Sequence, residues 1–165
     1  MSEADRRASC RICLMIQALQ SGRKSDFVAE LKHSWVVLGD AQYYRGYCVI
    51  LAKTHATELY RLPTIEAHAL FDEQIAVGRA IARALNPRKL NYECLGNAEP
   101  HVHWHLFPRY ESDPGHMGRV ELDHLKPLIL KPADKAVLIA AIAGQLNQII
   151  ASAKTAKDES KGFQK

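Results

Sequence analysis

Three histidines stand at alternate positions in the stretch His101, Val102, His103, Trp104, His105, Leu106, Phe107. Extended backbone sends successive side chains to opposite faces, so the three imidazoles share one face while Val102, Trp104 and Leu106 share the other. Imidazole is the side chain that is neutral and nucleophilic near neutral pH; it also ligates metals and, once protonated, donates to phosphate. Three accounts compete. The plainest is an exposed strand face that happens to carry histidine. A catalytic metal site is the second, because His-x-His on a strand supplies two ligands, although Glu111 is the only carboxylate between residues 101 and 111. Nucleophilic catalysis is the third. A further motif, Cys10-x-x-Cys13, reads either as a pair of metal ligands or as two small apolar residues on a helix.

Positioning these groups requires a scaffold, and the apolar pattern describes one. Residues 9–20 have helical spacing and stop at Ser21 and Gly22. Residues 27–31, 35–38 and 47–51 favour strands, punctuated by Gly39, Asp40, Arg45 and Gly46. A helix is expected over 64–85, with Phe71, Ile75, Ile81 and Leu85 as its inward stripe, Pro63 ahead of it and Asn86 and Pro87 closing it. Two more strands follow, 90–95 and 101–107, with Pro108 ending the second. A loop over 109–132 leads to a last helix over 133–153, with Leu138, Ile142, Leu146 and Ile149 on one side. Strands on either side of one long helix, without regular βαβ alternation, predict an α+β domain built on an antiparallel sheet of about five strands.

The 165 residues, 47% of them hydrophobic, suffice for one domain with its own core. Lys plus Arg exceed Asp plus Glu by 22 to 18, a net +4 that is far from the charge density of a dedicated nucleic-acid binder. Only residues 154–165 have the composition of a disordered tail. The N-terminus lacks the apolar stretch of a secretory signal, so a cytoplasmic location is expected, with the four cysteines as reduced thiols or metal ligands. Residues 136–153 are uncharged but interrupted by Gly144, Gln145, Asn147, Gln148 and Ser152, which predicts a helix against a core and not a membrane span. Cys48 and Cys94 fall in strand segments and are expected in the core. His33, His68, His116 and His124 have no partner pattern, and Arg109, at a strand end, is expected to be a solvated charge.

The stretch from Gly96 through Asn97, Ala98, Glu99 and Pro100 to the three histidines and Arg109 resembles the signature of the histidine triad (HIT) family, His-φ-His-φ-His-φ-φ. Residues 39–55, GDAQYYRGYCVILAKTH, resemble the family's segment before its long helix, and the likeness covers roughly residues 10–110. The resemblance implies a HIT-like fold and a nucleotide hydrolase acting on nucleoside phosphoramidates or dinucleoside polyphosphates through a nucleotidyl-histidine intermediate. His103 would be the nucleophile, His105 would face the phosphate oxygen that gains charge, and His101 would orient or support the site. Asn97 and Gly96 would approach the phosphates and Asp40 the ribose; as plain residues, Asn97 and Asp40 read equally as turn formers. Catalysis would need no cofactor, and the chain would form a homodimer whose two sheets join.

Two departures from the family pattern bear on chemistry. Ala98 stands where a Ser or Thr usually assists the leaving group, and the third histidine is retained where the sugar nucleotidyltransferase branch has Gln. Some prokaryotic members carry zinc on a similar cysteine pair, which here implies Cys10, Cys13, His55 and His101 as ligands of a structural Zn2+, with His101 then structural. A nucleotide-binding module without turnover and a metal-dependent hydrolase are the alternative readings.

Overall fold

The five strands form one antiparallel sheet in the order β1-β2-β3-β5-β4. The computed structural model describes residues 7–22, 25–113, 118–120, 126 and 128–162. The strands are β1 (Phe27–Glu30), β2 (Ser34–Leu38), β3 (Cys48–Ala52), β4 (Lys89–Glu93) and β5 (His103–Arg109). Alternation decides what each face covers. Val36, Leu38, Cys48, Ile50, Trp104 and Leu106 point to one side, into a core shared with helices α2 (Thr64–Leu85) and α3 (Pro132–Gly162). Trp35, Val37 and Leu51 point to the other, against Ile12, Ile16 and Leu19 of helix α1 (Arg11–Gln20). All of β2 is therefore buried. At the outer edge, β1 pairs with β2 through a register irregularity between Phe27 and Ala29.

Helix α2 has the predicted bounds but a different inward face. Leu70, Gln74, Val77, Gly78 and Ile81 are buried, whereas Phe71 and Ile75 are 58% and 37% exposed. The helix carries apolar residues in two phases one position apart, about 100° of rotation, and the phase that includes Gly78 and Ala80 packs inward. A Cβ on Gly78 would lie 2.3 Å from the Tyr92 hydroxyl, so the small residue sets how close helix and sheet can come. Asn86, at φ +47°, closes the helix in the left-handed conformation.

Strand β5 is shifted from the predicted bounds by two residues. It starts at His103, because ahead of it the chain leaves the regular ladder: the Val102 N–H donates to the Ala56 carbonyl (2.7 Å) and the Val102 carbonyl accepts from Ala52 N–H (3.2 Å). Pro108 does not end the strand; it pairs opposite Leu90. Arg109 offers its carbonyl to Arg88 N–H on the β4 side (2.9 Å), so the Pro108 nitrogen faces the β3 side, where pairing has already ended at Leu106. No ladder hydrogen bond is lost there. Cys94 lies just past β4 and is exposed, in contrast to the core position expected for it.

On α3, Leu138, Ile142 and Leu146 are buried in the core, each worth roughly 1.5–3 kcal/mol of burial. Residues Pro132–Thr155 are long and apolar enough to cross a bilayer by length and composition, but this stripe packs into the protein. The helix continues past residue 153 to Gly162, into the segment expected to be a disordered tail, where Ala, Lys and Glu are strong helix formers. The loop over 109–132 is anchored at both ends. Tyr110 N–H donates to the Asp113 carboxylate (2.7 Å), and Gln42 N–H donates to the Leu128 carbonyl (2.9 Å). His116 and His124 lie outside the described residues.

Candidate active site

His103 and His105 lie side by side on β5, their rings 4.8 Å apart. His103 Nδ1 is 2.6 Å from the main-chain carbonyl of His101. A carbonyl only accepts, so Nδ1 carries a proton and, in the neutral ring, Nε2 keeps its lone pair. Orientation and tautomer of this ring are thus set by a backbone atom two residues away.

His105 Nδ1 meets the Tyr47 hydroxyl at 2.6 Å. Burial, reinforced by the neighbouring His103, pushes the His105 pKa down to about 4, so this imidazole is neutral at physiological pH. Tyr47 in turn stacks on Phe107, centroids 4.5 Å apart and planes within 10°.

The two imidazoles open onto a cavity of about 460 Å³ between α1 and the sheet. Ile12, Met15 and Leu19 form one apolar wall and Val37, Val49 and Leu51 the other, while Asp40, Glu99 and the histidines supply polar groups. Such a slot suits a flat apolar group with an anion at one end. Of the residues singled out in the sequence, His103, His105 and Asp40 line this cavity. Gly96, in the left-handed region at φ +72°, and the exposed Asn97 belong to the loop leading to His101 and do not line it. Glu99, paired with Arg11 at 3.2 Å, and Tyr47 are cavity residues that sequence reading missed.

The ring of His101 serves a second cluster. Cys10 Sγ, Cys13 Sγ, His55 Nδ1 and His101 Nδ1 all lie within 4.8 Å of one another. The two Nδ1 atoms are 3.2 Å apart, Cys10 Sγ lies 3.4 Å from His101 Nδ1, and Cys13 Sγ lies 3.4 Å from His55 Nδ1 and 3.5 Å from His101 Nδ1. His101 Nε2 donates to the Ala52 carbonyl at 2.8 Å, which leaves its Nδ1 lone pair facing the thiols. Burial, then the adjacent Cys10 thiol, pushes Cys13 up to about 11, so two thiolates here call for a cation. Two sulfurs and two imidazole nitrogens converging at this spacing fit a tetrahedral metal ion such as zinc. Cys10 also caps α1, its Sγ accepting from Cys13 N–H at 3.4 Å.

Arg109 is not solvated. Its guanidinium, 2% exposed, meets Asp113 (3.3 Å), Asn91 (3.0 Å) and the Gly118 carbonyl (3.2 Å) and lies over the Tyr44 ring. Its side chain therefore pins the start of the long loop.

Fold and site together define a histidine-triad arrangement. The HIT domain family model matches residues 20–112, more than half of the chain, and the protein belongs to the HIT family, a family of nucleotide-binding proteins, hydrolases and transferases. The chain is 27% identical over 139 residues to the protein named hit of Bacillus subtilis, covering 81% of this chain and 94% of that one. Among solved structures it is similar to a histidine triad protein from Marinobacter aquaeolei, with TM-score 0.67 and 23% identity over 74% of this chain and 89% of that one. It is also similar to a zinc-bound histidine triad family protein from Mycobacterium smegmatis, with TM-score 0.60 and 21% identity over 86% of this chain and 98% of that one.

Proposed function

We propose that the protein hydrolyses a nucleotide of the nucleoside phosphoramidate or dinucleoside polyphosphate type through a nucleotidyl-histidine intermediate on His103. The observation that carries this reading is the 2.6 Å contact from His103 Nδ1 to the His101 carbonyl, which leaves Nε2 free to attack. Attack forms an N–P bond to the α-phosphorus and breaks the bond to the leaving group, which departs as an amine that has taken up a proton or as the remaining nucleoside polyphosphate; water then attacks the same phosphorus, gives up a proton, breaks the N–P bond and releases the nucleoside monophosphate. His105 donates to the phosphoryl oxygen that gains charge, Asp40 accepts from the ribose hydroxyls, and the apolar slot takes the base. The protein supplies this chemistry without a metal at the phosphorus.

Cys10, Cys13, His55 and His101 would hold a structural zinc, as the zinc-bound relative suggests, and the ion would tie the start of α1 and the segment after β3 to the chain just ahead of the nucleophile. All four cysteines are free, which suits a reducing compartment such as the cytoplasm. The exposed apolar residues Phe71 and Ile75 on α2 and Tyr92 and Leu95 at the β4 edge support a homodimer that joins two sheets.

Incubation with adenosine phosphoramidate or a diadenosine polyphosphate should release AMP, with a mass increase of one nucleotidyl group on His103 in rapidly quenched samples. His103→Ala should abolish both signals, and full turnover by that variant would refute the mechanism. A second reading, nucleotide binding without turnover, is favoured by Ala98, which offers the leaving group no donor. AMP binding with no product across the substrate panel would select it.

A further inference from the structure

The Tyr47–His105 contact extends the hydrolase reading, on which this inference rests. We propose that Tyr47 is a positioning residue that fixes His105 in the tautomer whose Nε2 carries the proton, so that a neutral N–H is the donor offered to the phosphoryl oxygen.

The contact is short, 2.6 Å from hydroxyl to Nδ1, and it joins residues 58 positions apart. It allows two arrangements: the phenol donates to Nδ1, or Nδ1–H donates to the phenol oxygen. The second turns the phenolic proton away from the ring, and among the described residues the Tyr47 hydroxyl has no hydrogen-bond partner other than His105. Burial also holds the phenol above its usual range, so it keeps its proton. A phenol with a proton and one basic nitrogen in reach donates to it. Nδ1 is then the acceptor, and the single proton of the neutral ring sits on Nε2.

The surroundings hold the tyrosine for this task. Its ring lies against Phe107 and, 5.9 Å away at 21°, against His105. Its main-chain carbonyl accepts from Gly39 N–H and from the Gln42 side-chain amide, both at 2.9 Å. A Cβ at Gly39 would stand 2.3 Å from the ring, so the turn leaves room for this side chain by omitting its own. The two catalytic rings are thereby fixed in complementary states. His103 has a protonated Nδ1 that donates to a backbone carbonyl and an Nε2 free to attack, while His105 has an Nδ1 that accepts from the phenol and an Nε2 free to donate. Neither ring depends on the other for its tautomer.

Histidine 15N NMR of the wild-type protein, with His105 assigned through His105→Gln, should show an unprotonated Nδ1 and a protonated Nε2. In Tyr47→Phe the ring stack remains and the donor goes. His105 should then show tautomer averaging, and kcat should fall about tenfold, the order expected for one hydrogen bond, with KM changed by less than about twofold. A wild-type His105 protonated at Nδ1 overturns the proposal, whether or not the variant folds. So does a Tyr47→Phe protein whose His105 tautomer is unchanged. If the wild type turns over no substrate, the hydrolase reading fails while the NMR arm still decides the role of Tyr47.

Discussion

His101 serves two clusters, one with its ring and the other with its main chain. Its ring faces the thiols of Cys10 and Cys13, and its carbonyl accepts from His103 Nδ1. The pairing of His103 with His105 was legible in the sequence because alternation assigns both to one side of a strand, whereas His101 lies ahead of the strand and its ring joins the cysteine cluster. Tyr47 and Arg109 were not, because their roles depend on partners that only tertiary structure supplies: the ring of His105 for one, and Asn91, Asp113 and Gly118 for the other. Burial of a neutral His105 also has a pH consequence. Its folded pKa, about 4, lies below the ordinary value of 6.5, so at falling pH the unfolded chain takes up the proton first. This contribution leaves stability unchanged above about pH 6.5, erodes it as pH falls toward 4 and levels off below that. Urea unfolding of wild type and His105→Gln across this interval should show a shallower loss in the variant.

At the level of elements, the bounds of α2 were legible from its flanking Pro and Asn, but its inward face was not. Two apolar phases compete along that helix, and the choice between them depends on Gly78 fitting beneath Tyr92, a contact no local pattern reveals. The cysteine pair was ambiguous for the same reason, since His55 and His101 reach it only through β3 and β5. Cys13→Ser should lower the zinc content, expected at one ion per chain by elemental analysis, and should lower the melting temperature. Because α1 forms a wall of the cavity, KM should rise in that variant more than kcat falls. Gly39→Ala tests the packing of the turn on Tyr47. Displacing that ring should cost about 1–3 kcal/mol of stability by chemical denaturation and reduce kcat together with it.

For the whole molecule, the apolar groups left exposed on α2 and at β4 predict a concentration-dependent assembly. The melting temperature should rise with protein concentration, as it does whenever the folded state alone associates. Sedimentation should give a dimer at micromolar concentration, and Phe71→Glu should shift it to monomer while leaving the sheet intact by circular dichroism. The two edges of the sheet are unequal in this respect. β1 is four residues long and its register is broken between Phe27 and Ala29, which makes it a poor template for another strand, whereas β4 offers five residues. A sheet with one receptive edge per chain can recruit only one more copy. Edge pairing then closes at two molecules and cannot propagate into a fibre.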